Sequence, residues 1–170
     1  VTLLGLLDMY AAFDTMDQDI LLHRLKESFG LSGSVLAWLS SFLRERTQQV
    51  IFGGVASLTA DVTSGVPQGS VLGPLLFLLY TADVLIAASE HGLGIHCYAD
   101  DAQLYAVGGA ADADRHVTNV TECIGVIDTW MSSNRLKLNP DKTQFIWLGG
   151  RKQLQKIRIK SVTLLGGAVT

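Results

Sequence analysis

Cysteine and proline are scarce in this 170-residue chain: it has only Cys97, Cys123 and three prolines. The two thiols form no CxxC pair, and His23, His91, His96 and His116 show no ligand spacing, which argues against a zinc site or a disulfide framework. Reduced intracellular thiols are the expectation, with Cys97 filling a buried strand position. No run reaches the ~18 uninterrupted apolar residues of a membrane span. The most apolar stretch, Val71 to Tyr80, contains Gly73 and Pro74 and reads as a buried helix. A basic region followed by a small-residue cleavage site is missing from the N-terminus, so no signal peptide is visible. An intracellular protein, in nucleus or cytoplasm and without a membrane partner, is expected. No repeat, low-complexity tract or Pro/Ser-rich linker divides the chain. With 48% hydrophobic residues, 1–170 reads as one domain with a sizeable core. It does not start with Met, and it opens inside an apolar strand, which suggests a segment of a longer protein.

Basic residues are sparse along most of the length. Residues 1–130 hold 5 Lys or Arg against 15 Asp or Glu, whereas 131–170 hold 8 against 1. The run Arg151, Lys152, Lys156, Arg158, Lys160 reads either as a surface turned toward nucleic acid or as a solvated basic strand pair. A net charge of −3 does not suit autonomous nucleic-acid binding.

What the chain does have is acid in selected places. Tyr98-Ala99-Asp100-Asp101 lies inside Ile95–Val107, a strand-forming run interrupted only by the two carboxylates, which predicts a hairpin with the acids at its turn. Asp8 closes the apolar strand Leu3, Leu4, Leu6, Leu7 and begins the pattern D-x-x-x-A-F-D. Between them, Ser64 to Phe77 is a Gly/Pro-rich loop running into an apolar helix. Mg²⁺ takes hard oxygen ligands in octahedral geometry and shares them with phosphates, and carboxylates from separate strands are the natural source. Asp8, Asp100 and Asp101 are therefore the candidate metal ligands. Asp14, Asp17 and Asp19 read instead as acids favouring the N-terminus of the helix that follows.

With these segments in this order, the chain resembles the palm of a reverse transcriptase, most closely that of the non-LTR (LINE-type) retrotransposons. LLDMYAAFDTMDQDILL, SGVPQGSVLGPLLF, YADDAQLY and NRLKLNPDKTQF look like motifs A to D of that family, and VTLLGG resembles motif E. Met9, Tyr10 and Gln18 depart from its more usual Leu, Ser and His. The resemblance implies an RNA-directed DNA polymerase using two Mg²⁺ ions, with Mn²⁺ as the substitute, on Asp8, Asp100 and Asp101. It implies an RNA template, a DNA primer and dNTP as partners. Phe13 matches the aromatic gate beneath the incoming sugar, although an ordinary core aromatic has the same appearance. Gln68 would touch the incoming nucleotide, and Gly69, like Gly65, would admit close approach of the backbone. Lys142 matches the lysine that protonates pyrophosphate, and it also fits a solvated turn. The other function class is an inert or domesticated remnant serving as a structural or binding module.

The expected architecture is α+β: an antiparallel sheet backed by helices, a polymerase palm with a ferredoxin-like core, its fingers and thumb missing. Helices are expected over about 19–29 and 34–46, the second with Val35, Trp38, Leu39 and Phe42 on one face. Strands over 48–52 and 57–63 join around Gly53-Gly54. A further helix carries Val117, Val120, Ile124, Ile127 and Trp130, with Asp112 as its cap, and strands end the chain at 144–148 and 157–165.

Overall fold

The structure is a computed structural model that describes residues 1–159, 161–164 and 167–169. In chain order its elements are β1 (Thr2–Leu7), α1 (Ala12–Thr15), α2 (Gln18–Glu27), α3 (Gly33–Leu43), β2 (Arg46–Gln48), β3 (Ile51–Phe52), β4 (Val55–Ala56) and β5 (Ala60–Val62). There follow α4 (Leu72–Tyr80), α5 (Ala82–Glu90), β6 (Gly94–Tyr98), β7 (Asp101–Val107), α6 (Ala113–Ser133), β8 (Gln144–Leu148), α7 (Arg151–Leu154), β9 (Val162–Leu164) and β10 (Gly167–Val169). The chain divides into two compact units, Val1–Tyr10 with Thr81–Thr170, and Ala11–Tyr80.

The first unit is the α+β sheet. Its strands run β6-β7-β1-β8, every neighbouring pair antiparallel. Alternation decides which face is inside: Leu3, Gly5 and Leu7 of β1 are buried, and so are Ala102, Leu104 and Ala106, their exact partners on β7. α6 covers that face with Val120, Ile124, Ile127 and Met131, all fully buried at helical spacing. Such side chains each contribute about 1.5–3 kcal/mol through burial. Gly5 is small for a reason, since a Cβ there would lie 2.9 Å from the Phe145 ring on β8. α5, which the sequence reading did not separate from α4, packs on α6. Trp130 Nε1 donates to Asp83 Oδ2 across that contact (3.2 Å). Asp112 does not cap α6 with its side chain; its carboxylate accepts from Gly109 N in the short 3₁₀ turn before the helix. The last strand is shorter than expected, because the basic run opens with α7. Lys160 of that run, and Leu165 and Gly166 of VTLLGG, lie outside the described residues.

The second unit is helical with a projecting β-ribbon. Asp17 caps α2, its carboxylate accepting from Asp19 N (2.9 Å) and Ile20 N (3.0 Å). Leu21 and Leu25 of α2 face Leu76, Phe77 and Tyr80 of α4, and all are buried. The predicted face of α3 is corrected: Leu39 and Leu43 are buried, while Val35 and Trp38 are exposed and Trp38 stacks on Phe42. Arg46 also leaves that helix and starts β2. The ribbon forms two tiers, β2 with β5 and β3 with β4, turning at Gly53-Gly54. Phe52 and Leu58 on it are largely exposed.

His116 on α6 is buried with no hydrogen-bond partner for Nε2. Burial lowers its pKa, and Asp112 opposes that shift only in part. The unfolded chain therefore binds this proton at higher pH than the folded one. Stability is complete above the ordinary imidazole pKa of about 6.5 and falls as pH drops through it. The urea midpoint is expected to be lower at pH 5.5 than at pH 7.5, with a smaller difference in His116→Leu. An equal difference in both proteins would remove His116 as the cause.

Candidate active site

The acidic residues come together through strand register. Leu7 of β1 faces Ala102 of β7, so continuing that antiparallel register by one residue sets Asp8 opposite Asp101. In the same hairpin Tyr98 pairs with Asp101, leaving Ala99-Asp100 as a two-residue turn with Ala99 at φ 54. A non-glycine in the left-handed region is strained, and such strain concentrates where a turn serves a function. Asp8, Asp100 and Asp101 thus share one end of the sheet although 92 and 93 positions separate Asp8 from the pair. Asp8 and Asp100 are half-buried and Asp101 is exposed. Among the described residues, no three His, Cys, Asp or Glu side chains already stand as a closed cage. Like-charged carboxylates repel at close range, which opposes such a cage without a cation.

Asp8 has a partner that the sequence reading passed over. Asn139 Nδ2 donates to Asp8 Oδ2 (2.8 Å), and Asn139 N donates to the Asp8 carbonyl (2.8 Å). Asn139 is itself buried, and its carbonyl accepts from Thr143 Oγ1 (2.8 Å). This clamp fixes one carboxylate oxygen of Asp8 and leaves the other, Oδ1, for a ligand. The signal was present in Asn139-Pro140-Asp141-Lys142-Thr143, a turn sequence in which Asn favours side-chain to backbone bonding. Lys142 is exposed on that same turn, its N–H donating to the Asn139 carbonyl (3.3 Å).

The second unit holds the remaining candidates. The stretch after Asp8 and the Gly/Pro-rich loop are laced together: Val66 N donates to the Phe13 carbonyl, Gly65 N to the Met16 carbonyl and Ser64 Oγ to the Asp14 carbonyl. Gln18 Nε2 adds a buried bond to the Gly65 carbonyl (3.1 Å), so the Gln that departs from the family pattern is a tie within this junction. Gln68 Nε2 donates to Asp14 Oδ1 (2.7 Å), which turns its Oε1 outward as an acceptor. Asp14 is thus a loop partner and not a helix cap, in contrast to Asp17. Phe13 is half-buried and sets its ring against Phe77, centroids 5.2 Å apart. Gly69 has φ +76, with open space where a Cβ would stand.

This order of elements is that of a polymerase palm, and the likeness extends to known proteins. A family model described as reverse transcriptase (RNA-dependent DNA polymerase) matches residues 2–167, and the chain belongs to that family. It is 34% identical over 143 residues to a probable RNA-directed DNA polymerase from transposon BS of Drosophila melanogaster, covering 81% of this chain and 15% of that protein. To the RNA-directed DNA polymerase from mobile element jockey of the same fly it is 28% identical over 150 residues, covering 85% and 16%. The LINE-type resemblance of the motifs stands on these relatives. The chain spans only about 15% of their length. Among solved structures, telomerase from Candida albicans superposes with a TM-score of 0.62 at 18% identity, covering 86% of this chain and 28% of that one. That likeness is one of fold.

Gly65 is the tightest point of the lacing: at φ +74, an added Cβ would lie 2.9 Å from Asp14 Cα and 2.5 Å from the Phe13 carbonyl oxygen. Gly65→Ala is expected to destabilise the chain by about 2–4 kcal/mol through strain and overpacking together. Gly69→Ala, strained but unobstructed, is expected to cost about 1 kcal/mol. Urea denaturation of both variants measures this; equal losses would show that the junction is looser than described.

Proposed function

We propose that this chain is the catalytic palm segment of an RNA-directed DNA polymerase of a non-LTR retrotransposon, adding deoxynucleotides to a primer 3′-hydroxyl. The observation that carries the reading is the β1–β7 register, which makes Asp8 the neighbour of the Asp100-Asp101 turn. A hard, all-oxygen donor set at the end of a sheet, with Asp8 Oδ1 left open by the Asn139 clamp, fits Mg²⁺, for which Mn²⁺ can substitute. When bound, a pair of such ions stabilises the attacking and the leaving oxygen of an in-line displacement.

The chain's own groups then have distinct tasks. Asp8 and Asp100 hold the ions, with Asp101 assisting, and Asn139 keeps the Asp8 carboxylate from rotating away. Lys142, exposed and protonated, delivers a proton to the departing pyrophosphate. Phe13 lies beneath the sugar and rejects a ribose 2′-hydroxyl by bulk. Gln68, its amide orientation set by Asp14, offers Oε1 to a donor on the incoming nucleotide, and Gly69 lets the backbone come close. An RNA template and a DNA primer are the polymeric partners, and the work is done inside the cell. Positioning is the larger part of such catalysis, so finger and thumb segments beyond these 170 residues complete the enzyme.

Residues 1–170 alone are therefore expected to show no template-directed synthesis, and robust primer extension by them would overturn the dependence on further segments. In a protein carrying fingers and thumb, Asp100→Asn should lower incorporation of dNTP and rNTP together by at least ~10²-fold. Phe13→Ala should instead lower the ratio of kcat/KM for dNTP over rNTP while largely keeping deoxynucleotide chemistry. An unchanged ratio would reduce Phe13 to a packing residue.

A further inference from the structure

One arginine of the second unit has no task in the account above. Arg46, at the start of β2 opposite Val62 of β5, is half-buried, and its Nη1 is shielded from solvent without a hydrogen-bond partner. A guanidinium N–H in that state is costly unless an acceptor reaches it. The group lines a cleft of about 590 Å³, whose polar walls also include Asp14, Gln48, Asp61, Thr63 and Gln68. The size lies within the range of clefts that take small organic ligands.

The lining narrows the chemistry of the ligand. Phosphate is a common partner of arginine, but here one cation faces the carboxylates of Asp14 and Asp61. The adjoining cleft adds Asp17, Asp19 and Glu45 against Arg44 alone. The local field is negative and repels a polyanion, so a neutral acceptor is favoured. The carboxylates make the complementary demand. Asp61 has no hydrogen-bond partner among the described residues, and Asp14 spends only Oδ1 on Gln68, so N–H donors on the ligand would be satisfied there. A ligand that answers both demands is planar, uncharged, and carries adjacent acceptors on one edge and N–H donors on another.

We propose that this cleft is a nucleobase site selective for an unpaired guanine, Arg46 donating to O6 and N7 and Asp61 accepting from N1–H and N2–H. Guanine alone among the common bases presents the O6/N7 acceptor pair that a guanidinium reads bidentately. Adenine sets an amino group where O6 would be, and that donor meets the donors of Arg46. The site rests on the polymerase reading only in that the base belongs to a nucleotide or strand handled beside Gln68; occupancy needs neither metal nor catalysis.

The test is titration of the chain with GMP, AMP, CMP, UMP and inorganic phosphate, followed by NMR on the Gln68 side-chain amide and the Thr63 backbone amide. GMP is expected to bind at least ~10-fold more tightly than the other three, the discrimination that a bidentate contact supports, with inorganic phosphate unable to compete. Arg46→Gln and Asp61→Asn should each abolish the preference. Asp61 is exposed, so its variant carries the test even if Arg46→Gln loses its fold by circular dichroism. Asp100→Asn should leave guanine selection intact, which separates failure of this site from failure of the polymerase reading. Equal binding of the four nucleotides, competition by inorganic phosphate, or a preference that survives Asp61→Asn overturns the proposal.

Discussion

The pairing of β1 with its two neighbours is the constraint on which the acidic end of the sheet depends. Because side chains alternate with a period of two, a slip of one residue against β7 would turn Leu3 and Leu7 to the open face and move Asp8 away from Asp101. The register is held by the apolar contacts of Leu3, Leu104 and α6 beneath the sheet, and by the Phe145 ring that only Gly5 admits. Polar chemistry at one end of the strand is thus supported by packing along its whole length. The other neighbour, β8, follows the turn whose Asn139 grips Asp8, so both flanks of β1 converge on the same carboxylate.

A different device organises the helical unit. There the loop from Ser64 to Gln68 has no strand to hold it, and backbone bonds to Phe13, Asp14 and Met16 do that work. Gln18 and Asp14 complete the lacing from either side. A loop held at five points loses most of its conformational freedom in the folded state, and Pro67 had already restricted it in the unfolded chain. Preorganisation of this kind is what a nucleotide contact requires, since a group that must be ordered on binding gives back part of its affinity.

Residues whose role follows from local pattern were legible in the sequence. The strand ending at Asp8, the hairpin around Asp100-Asp101 and the helix carrying Val120, Ile124 and Ile127 all follow from periodicity and turn chemistry. Asp17 as a cap followed too, but Asp14 was grouped with it wrongly, because its partner Gln68 lies 54 residues away and no local rule connects them. Asn139 escaped for the same reason at a separation of 131 residues. The face of α3 was misjudged since Val35, Trp38 and Phe42 are apolar at helical spacing, yet only Leu39 and Leu43 are buried. α5 went unseen because Ala82–Glu90 continues the apolar character of α4 with no polar break of its own. Arg46 looked like the end of a helix; its half-buried position on β2 is visible only once β5 is paired with it.

The central claim is that register, not sequence proximity, builds a divalent-cation site from Asp8, Asp100 and Asp101. It is tested most directly by titrating Mn²⁺ into the isotopically labelled chain and following paramagnetic broadening of each backbone amide. The account predicts broadening centred on residues 8 and 99–101, lost in Asp8→Asn and retained in Asp141→Asn. Broadening centred elsewhere, such as around Asp112 and Asp114, or unchanged by Asp8→Asn, would contradict it.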